Sequence, residues 1–326
     1  MTTETVNLKI HLLQRVDRDY LTWLAVRNAV WADEPVSLAQ LRYEESNWPA
    51  GYFSQRAIIT NKGTVVAVTH LFENHWQYQP GKYDLTILVH PNFQKQGIGG
   101  YLFDHFQQLL AARSPALTSL VSGTRADDSH ALAFLRKRGY DVLMRWARSR
   151  LALPLFDLEK FQDTLAEVKN QGISIYSVQA LARQDPEWQR KYYEMDLVAS
   201  QDAPSPDPMT ETSFEKFVQN TFASPRFLPE GTFIAIDDVS GQWLASTELS
   251  WFADGKTLDT PFTCVHPDFR RRRIATAIKV NAIAFAQAAG ADSIIAANEE
   301  NNPMYQINLA LGFKPLPQGL TMKKIY

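Results

Sequence analysis

The stretch VHPNFQKQGIGG at residues 89–100 has a second copy in this chain, VHPDFRRRRIAT at residues 265–276. Both copies carry Val, His, Pro, Phe and Ile at the same places, and the second begins 176 residues after the first. Farther on, the glycine–aromatic pair Gly139–Tyr140 has a counterpart in Gly312–Phe313, 173 residues later. Two landmarks that recur at nearly one offset predict a duplicated unit.

The surrounding pattern predicts the same order of elements in each half. A short strand precedes an aromatic-rich helix, and two alternating apolar strands follow, joined by a turn that contains Gly63 or Gly241. Next come a strand ending in VHP, an amphipathic helix, a further strand, a short helix and a last hairpin. The predicted elements are strands 8–12, 83–89 and 117–121 with helix 19–31, and strands 173–177, 259–265 and 293–297 with helix 187–200.

This order predicts an α+β fold, in which each half is a mixed, mostly antiparallel sheet flanked by helices. A chain of 326 residues has room for about two domains. We therefore predict a first domain at residues 1–153, a linker at residues 154–171 and a second domain at residues 172–326.

Composition excludes several classes of protein. The chain has 33 Lys and Arg against 35 Asp and Glu, so it lacks the overall positive charge of a nucleic-acid binder. No apolar run approaches the roughly 18–20 residues of a membrane span. The first residues lack a basic segment followed by an apolar one, and Cys264 is the only cysteine. We expect a cytoplasmic protein with no nucleic-acid or membrane partner, present as a monomer or homodimer.

The segment QKQGIGG at residues 94–100 opens the amphipathic helix, which suits it to bind a phosphate. A helix N-terminus presents unpaired N–H groups and about half a positive charge, and glycines let a ligand approach the backbone. Lys95 adds a full positive charge. The alternative is a helix that simply begins after a turn with convenient glycines.

The order strand, Val-x-Pro, Gln/Arg-x-x-Gly-x-Gly, helix and a later glycine–aromatic pair resembles the GNAT superfamily of N-acetyltransferases. The second half is similar to the C-terminal half of tandem GNAT proteins of the mycothiol synthase type. The resemblance implies that the loop grips the pyrophosphate of acetyl-CoA, while the preceding strand end bonds to the pantetheine and thioester. It implies no metal. The coenzyme-binding residues carried over are Ile87, Leu88, Val89, Gln94, Lys95, Gln96, Gly97, Ile98, Gly99 and Gly100.

The second loop departs from the family pattern, because Arg273 stands where the first loop has Gly97. Its side chain adds bulk where the family needs a close approach. The arginines could be vestigial, pair with carboxylates, or bind the 3′-phosphate of the coenzyme. We therefore predict acetyl-CoA in the first domain and a degenerate second domain. The possible second site comprises Cys264, Val265, Arg270, Arg271, Arg272, Arg273, Ala275 and Asn302.

Direct attack on a thioester requires a neutral amine, so a general base is expected. Many family members place a glutamate six positions before the last valine of the strand, where this chain has Tyr83 and Asp259. The substitutes in the first half are Asp84, Glu73 and His90, and the counterpart of Glu73 is Glu248. As structural alternatives, the two carboxylates could be solvated edge residues and His90 a turn residue.

The family also tends to use a tyrosine four residues before the glycine–aromatic pair as the acid, and Leu135 and Asn308 stand there instead. Two functions therefore stay open. One is an acetyl-CoA-dependent N-acetyltransferase that acts on a small-molecule amine. The other is a non-catalytic protein that binds acetyl-CoA as a sensor or scaffold.

Overall fold

The structure is a computed structural model that describes residues 7–113, 115–201 and 203–326. It divides into two compact units. Unit 1 comprises residues 1–144, 206–211 and 320–326, and unit 2 comprises residues 145–205 and 212–319. No helix of the described residues is long and apolar enough to cross a membrane.

Unit 1 is a mixed sheet with helices on both faces, as the alternating patterns predict. Strands β1 to β4 pair antiparallel in chain order, and β4 pairs parallel with β5. The C-terminal strand β15 lies next to β5. The elements are β1 (Leu8–Leu12), α1 (Asp17–Val30), α2 (Leu38–Asn47), β2 (Ser54–Asn61), β3 (Thr64–Phe72), β4 (Lys82–Val89), α3 (Ile98–Ala111), β5 (Ser119–Arg125), α4 (Ser129–Lys137), the start of β6 (Asp141–Ala152) and β15 (Gly319–Ile325).

The apolar periodicity of each helix sets which face it buries. Helix α3 buries Ile98, Leu102, Phe103, Phe106 and Leu110, the i, i+4 stripe expected of a helix that covers a sheet. The aromatic residues of α1 belong to the core on the other face. Trp23 is buried there and donates its indole N–H to the Thr69 carbonyl at 3.2 Å.

Unit 2 contains two separate sheets. In one, β6 pairs antiparallel with β13, β13 parallel with β11, and β11 antiparallel with β10. In the other, β7, β8, β9 and β12 pair antiparallel in that order. The elements are α5 (Gln162–Asn170), β7 (Ile173–Ser177), α6 (Val178–Ala182), α7 (Trp188–Ala199), α8 (Phe214–Thr221), β8 (Phe233–Asp237), β9 (Trp243–Thr247), β10 (Ser250–Trp251), β11 (Thr257–Thr260), β12 (Thr263–Val265), α9 (Ile274–Ala288), β13 (Ser293–Glu299), α10 (Pro303–Ala310) and β14 (Lys314–Pro315).

Two expectations about strands were wrong. The single strand predicted at residues 259–265 is interrupted at Pro261 and Phe262, and β11 and β12 belong to different sheets. Proline lacks the N–H that a continuing ladder needs. The hairpin predicted at the end of the first half is also absent, because residues 141–152 form one long strand whose residues 146–152 pair with β13.

The two compact units are divided at residues other than the predicted domain limits, 153 and 172. Those domain limits stay a prediction. The segment 154–171, predicted as a linker, contains α5. Val168 of this helix packs in one core cluster with Ile173 and Ile274. These residues therefore contribute to the core of unit 2.

Helix α9 covers both sheets of unit 2 and buries a charged side chain among its apolar ones. Lys279 is 4% exposed, and its ammonium donates to Thr263 Oγ1 at 3.3 Å. Among the described residues no carboxylate forms an ion pair with it. Burial lowers the pKa of Lys279 from 10.5 to about 8. The charged form therefore destabilises the fold.

We expect Lys279→Met to raise the free energy of unfolding at neutral pH by about 3 kcal/mol at most, because methionine fills a similar volume without a buried charge. In the wild type, the unfolded chain binds more protons than the folded one between about pH 8 and 10.5. Unfolding free energy should therefore rise with pH across that window, and the variant should lose this rise. Denaturant unfolding at several pH values checks both.

Lys256→Met is the matched control for this experiment, because Lys256 is exposed. It should change stability by about 0.5 kcal/mol or less. A destabilised Lys279→Met would mean that the lysine contributes more through its contacts than its charge costs.

Candidate functional site

The two copies of the loop have the same backbone conformation. Lys95 and Gly97 have φ values of 63° and 82°, and Arg271 and Arg273 have 61° and 63°. In each copy the last of these residues is the left-handed N-cap of the following helix, α3 or α9. The left-handed conformation costs an arginine roughly 1–2 kcal/mol, so packing around the second loop must impose it.

The histidines that precede the loops act as turn residues. His90 Nδ1 accepts a hydrogen bond from the Asn92 N–H at 3.3 Å, and His266 Nδ1 accepts from Asp268 at the same distance. Gln94 and Arg270, which occupy the same position in the two loops, also make the same contact. The Gln94 side-chain amide donates to the Val89 carbonyl, and the Arg270 guanidinium donates to the Val265 carbonyl. These contacts fix the exit from the strand identically in both halves.

The side chains of Arg272 and Arg273 are held outside the second loop. Arg273 forms an ion pair of 2.8 Å with Glu167 of α5, and both side chains are exposed. Arg272 donates to Gln171 Oε1 at 2.9 Å. Arg271 is exposed and makes no hydrogen bond or ion pair within the described residues. The Arg273 side chain is therefore directed towards α5.

A cavity of about 670 Å³ lies in unit 2 beside this loop. Strand β12, the first turn of α9 and the start of α10 form its walls. Of the eight residues predicted as a possible second site, seven line it, and Arg272 does not. These seven residues are Cys264, Val265, Arg270, Arg271, Arg273, Ala275 and Asn302.

Asparagines hold the wall of this cavity formed by α10. Asn302 caps the helix by accepting from the Met304 N–H at 2.9 Å, and Pro303 occupies the first turn. Asn308 is fully buried and donates to Asn298 Oδ1 on β13 at 2.8 Å. Asn302 and Asn308 therefore keep α10 in place beside the cavity.

The corresponding cleft of unit 1 is much smaller, at about 80 Å³. Strands β4 and β5 pair only from Lys82 to Asp84 and then part, but Phe134 of α4 fills the space. A Cβ on Gly99 would lie 3.4 Å from the Phe134 ring, and Arg138 stacks on that ring at 3.7 Å. Because Gly99 has no Cβ, the Phe134 ring of the same unit packs closely against it.

Of the coenzyme-binding residues predicted in the first half, Ile87 and Leu88 line this small cavity, and Val89 and residues 94–100 do not. The position that corresponds to Phe134 in the second half is Ile307, which lines the large cavity. The side chain at this position is therefore smaller in the wide cleft of unit 2 than in the narrow cleft of unit 1.

The candidate bases of unit 1 have different surroundings. Glu73 is 6% exposed and accepts from the Phe53 N–H at 2.8 Å, which closes the β2–β3 hairpin. Asp84 lies where β4 and β5 part, and its Oδ2 has no partner within the described residues. Burial raises the pKa of Asp84 to about 6, while Lys82 lowers it and Asp207 raises it further. Asp84 is therefore a buried carboxyl group with a raised pKa at the point where the two strands part.

In unit 2 the carboxylate at the family's usual base position is already engaged. Arg226 donates to both oxygens of Asp259, at 2.7 and 2.6 Å, and Ser250 donates to Oδ1 at 2.5 Å. One guanidinium nitrogen of Arg226 thus contacts both carboxylate oxygens, and together with Ser250 it holds the side chain still. Asp259 is thus a structural carboxylate.

A second polar cluster lies between α7 and the sheet of β9 and β12. Tyr192 donates to Glu248 Oε1 at 2.5 Å, and Ser246 and Cys264 lie 3.2 Å apart, Oγ to Sγ. Burial raises the pKa of Glu248 to about 7; the Tyr192 hydrogen bond lowers it, and Asp196 raises it. Burial also raises the pKa of Asp196 to about 6.

This cluster reaches the large cavity through Cys264, which lines it, and burial raises the pKa of that thiol to about 12. Cys264 therefore stays a thiol at neutral pH. The sequence pointed to Glu248 only as the counterpart of Glu73, and it missed Tyr192 and Asp196. Their i, i+4 spacing on an aromatic helix was the available signal.

Comparison with known proteins connects this geometry to a family. The model of the acetyltransferase (GNAT) family matches residues 18–140. A search of curated proteins finds no match.

Solved structures match nearly the whole chain. A tandem GNAT protein from the clavulanic acid biosynthesis pathway, without acetyl-CoA, has a TM-score of 0.74 and 20% identity, covering 98% of each chain. A GCN5-related N-acetyltransferase from Sphaerobacter thermophilus has a TM-score of 0.67 and 16% identity, covering 98% of this chain and 95% of its own. Saccharomyces cerevisiae N-myristoyltransferase with bound myristoyl-CoA has a TM-score of 0.64 and 10% identity, and the match covers 99% of this chain and 80% of the myristoyltransferase chain. These likenesses establish the fold.

The raised pKa of Glu248 predicts how the free energy of unfolding depends on pH. Between about pH 4.5 and 7 the folded protein binds more protons at Glu248 than the unfolded chain, so this residue makes unfolding free energy fall as pH rises. Glu248→Gln keeps an acceptor for Tyr192 and should reduce that fall. Urea unfolding at several pH values checks it, with exposed Glu194→Gln as the control. An unchanged slope in Glu248→Gln would contradict the raised pKa.

Proposed function

The chain carries a domain of the acetyltransferase (GNAT) family at residues 18–140 within a tandem GNAT fold, and on this premise we propose that it is an acetyl-CoA-dependent N-acetyltransferase. The family match and the folds of its neighbours support an acyltransferase. The proposed acceptor is a small-molecule amine. The proposed coenzyme site is the cleft of unit 2, and the cavity of about 670 Å³ beside the arginine loop carries this assignment.

The arginine loop supports this location because acetyl-CoA carries its phosphates at one end. The left-handed residues Arg271 and Arg273 turn successive backbone N–H groups at the start of α9, a helix N-terminus that favours an anion. Arg270 and Arg271 bring side-chain charge to the cavity wall. We infer that the four consecutive arginines serve the phosphates through the backbone and these two side chains.

The edge of β12 supports placing the thioester end along the opposite wall. Thr263, Cys264 and Val265 line the cavity and pair with β9 on one side only. Their other edge pairs with no strand of the described residues, and β11, the preceding strand, is paired to β13 in another sheet. Backbone groups on such an open edge are available to an extended ligand.

The polar cluster supports a role for Glu248 as the proton acceptor. An alkyl amine with a pKa near 10.4 is protonated at neutral pH and must lose a proton before it attacks the thioester. A carboxylate whose pKa is about 7 is a better base than an ordinary glutamate. Tyr192 holds the Glu248 carboxylate in place, and the Glu248 N–H is bonded to the carbonyl of Phe262, which lines the cavity.

Isothermal titration with acetyl-CoA tests the location of the coenzyme. We expect one equivalent per chain, abolished by Ala275→Trp, because the indole would fill the cavity at the first turn of α9. Gly97→Arg introduces an arginine into the first loop, where a Cβ meets nothing within 4 Å, and binding should persist. Thermal melts confirm that both variants fold.

The opposite pattern, with binding lost in Gly97→Arg and kept in Ala275→Trp, would place the coenzyme in the first loop, as the sequence predicts. Two equivalents would mean that both loops bind. No binding to the wild type would refute the proposed function.

Activity is best sought by release of free CoA across a panel of small amines. With an accepted amine, we expect Glu248→Gln to lower kcat by roughly 100-fold or more, the usual contribution of a general base. In the wild type, kcat/KM should rise with pH through about pH 7 as Glu248 ionises, and in the variant this rise should be absent. Wild-type kinetics in Glu248→Gln would exclude the residue as base. Coenzyme binding with no turnover of any amine would favour the sensor or scaffold.

A further inference from the structure

The fold does not require a lysine at the helix position of Lys279, as the first half of the chain shows. It occupies the place on α9 that Phe103 occupies on α3, and both side chains are buried under their sheets. The first half therefore packs the same helix position with an aromatic side chain. A buried ammonium with no carboxylate partner is costly, and such groups cluster where chemistry uses them.

The contacts of Lys279 lead to the cavity wall. Its ammonium donates to Thr263 Oγ1 at 3.3 Å, and Thr263 lines the cavity. The Thr263 hydroxyl is also 2.7 Å from the hydroxyl of Thr247, which is completely buried. When the Thr263 oxygen accepts from both Lys279 and Thr247, its own proton is free to donate elsewhere.

We propose that Lys279 is a positioning residue, which orients the Thr263 hydroxyl towards the sulfur of the coenzyme and stabilises the thiolate that leaves. This inference rests on the proposed function and on the coenzyme lying in unit 2. In the reaction, the amine nitrogen forms a bond to the thioester carbonyl carbon and the carbon–sulfur bond breaks. Sulfur departs with the electron pair as thiolate. The proton that the ammonium loses before the attack passes through Glu248 to solvent, and Glu248 then accepts the second proton, which the nitrogen releases as the amide forms.

The electrostatics favour this role. A positive charge in a buried site acts on a nearby developing negative charge far more strongly than it would in water. The sequence lacks the tyrosine that the family tends to use to protonate the thiolate, because Asn308 stands at that position and is bonded to Asn298. A fixed cation and an oriented hydroxyl supply stabilisation where that acid is missing.

The test measures the thiolate of bound coenzyme, so that it needs no acceptor. Free CoA is added to the wild type and to Lys279→Met at neutral pH, binding is confirmed by calorimetry, and ultraviolet absorbance gives the fraction of bound thiol that is ionised. We expect the ratio of thiolate to thiol to be roughly tenfold higher in the wild type, the equivalent of one pKa unit. A structural role alone would not move this spectroscopic signal.

Two further variants keep the test decisive if Lys279→Met fails to fold. Lys279→Arg retains a cation and should keep most of the signal, whereas Thr263→Val removes the hydroxyl and should lose it. Lys256→Met, at an exposed position of unit 2, should match the wild type.

Equal ionisation of bound thiol in the wild type and Lys279→Met, or in the wild type and Thr263→Val, would overturn the inference and leave the proposed function standing. Failure of the wild type to bind CoA would overturn both.

Discussion

The cleft of each unit depends on one constraint, that two neighbouring parallel strands stay paired for only a few residues and then separate. In unit 1, β4 and β5 pair over three residues. In unit 2, β11 pairs with β13 and then gives way at Pro261 and Phe262 to β12, which joins another sheet. Backbone groups along a separated edge need other partners, which a ligand with amide groups can provide. The loop, the helix N-terminus and the polar clusters are all arranged around that separation.

What fills the space between the strands differs between the halves. In unit 1 it holds the Phe134 ring with Arg138 stacked on it, and about 80 Å³ is left. In unit 2 the shorter Ile307 and the asparagine-held α10 leave about 670 Å³. The loop with the family's glycines thus lies beside the narrow cleft, and the loop that lost them lies beside the wide one.

The ionisable groups of unit 2 are distributed around its cleft in an unusual way for a structural core. Asp259 is paired with Arg226, but among the residues that the structure describes Glu248 and Asp196 form no ion pair with a cation and Lys279 forms none with a carboxylate. Each arrangement lowers stability, since burial disfavours the charged form. Their separation, with the Glu248 carboxyl on the α7 side of β12 and the Lys279 ammonium on the α9 side, is consistent with the proposed reaction, in which a proton moves to Glu248 and negative charge develops on sulfur.

The sequence predicts the duplication, the α+β class, the first hairpin of each half and the turn chemistry, because these depend on local features: residue periodicity, VHP at the strand end, and glycines at tight turns. It also located the second loop and seven residues of its cavity. The tertiary structure shows which cleft is open, because Phe134 and Ile307 each lie far along the chain from the loop of their own half. It likewise decided that residues 145–152 belong to unit 2 and residues 320–326 to unit 1. Strand pairing is a contact between distant segments, and no local pattern specifies which neighbour a strand will choose.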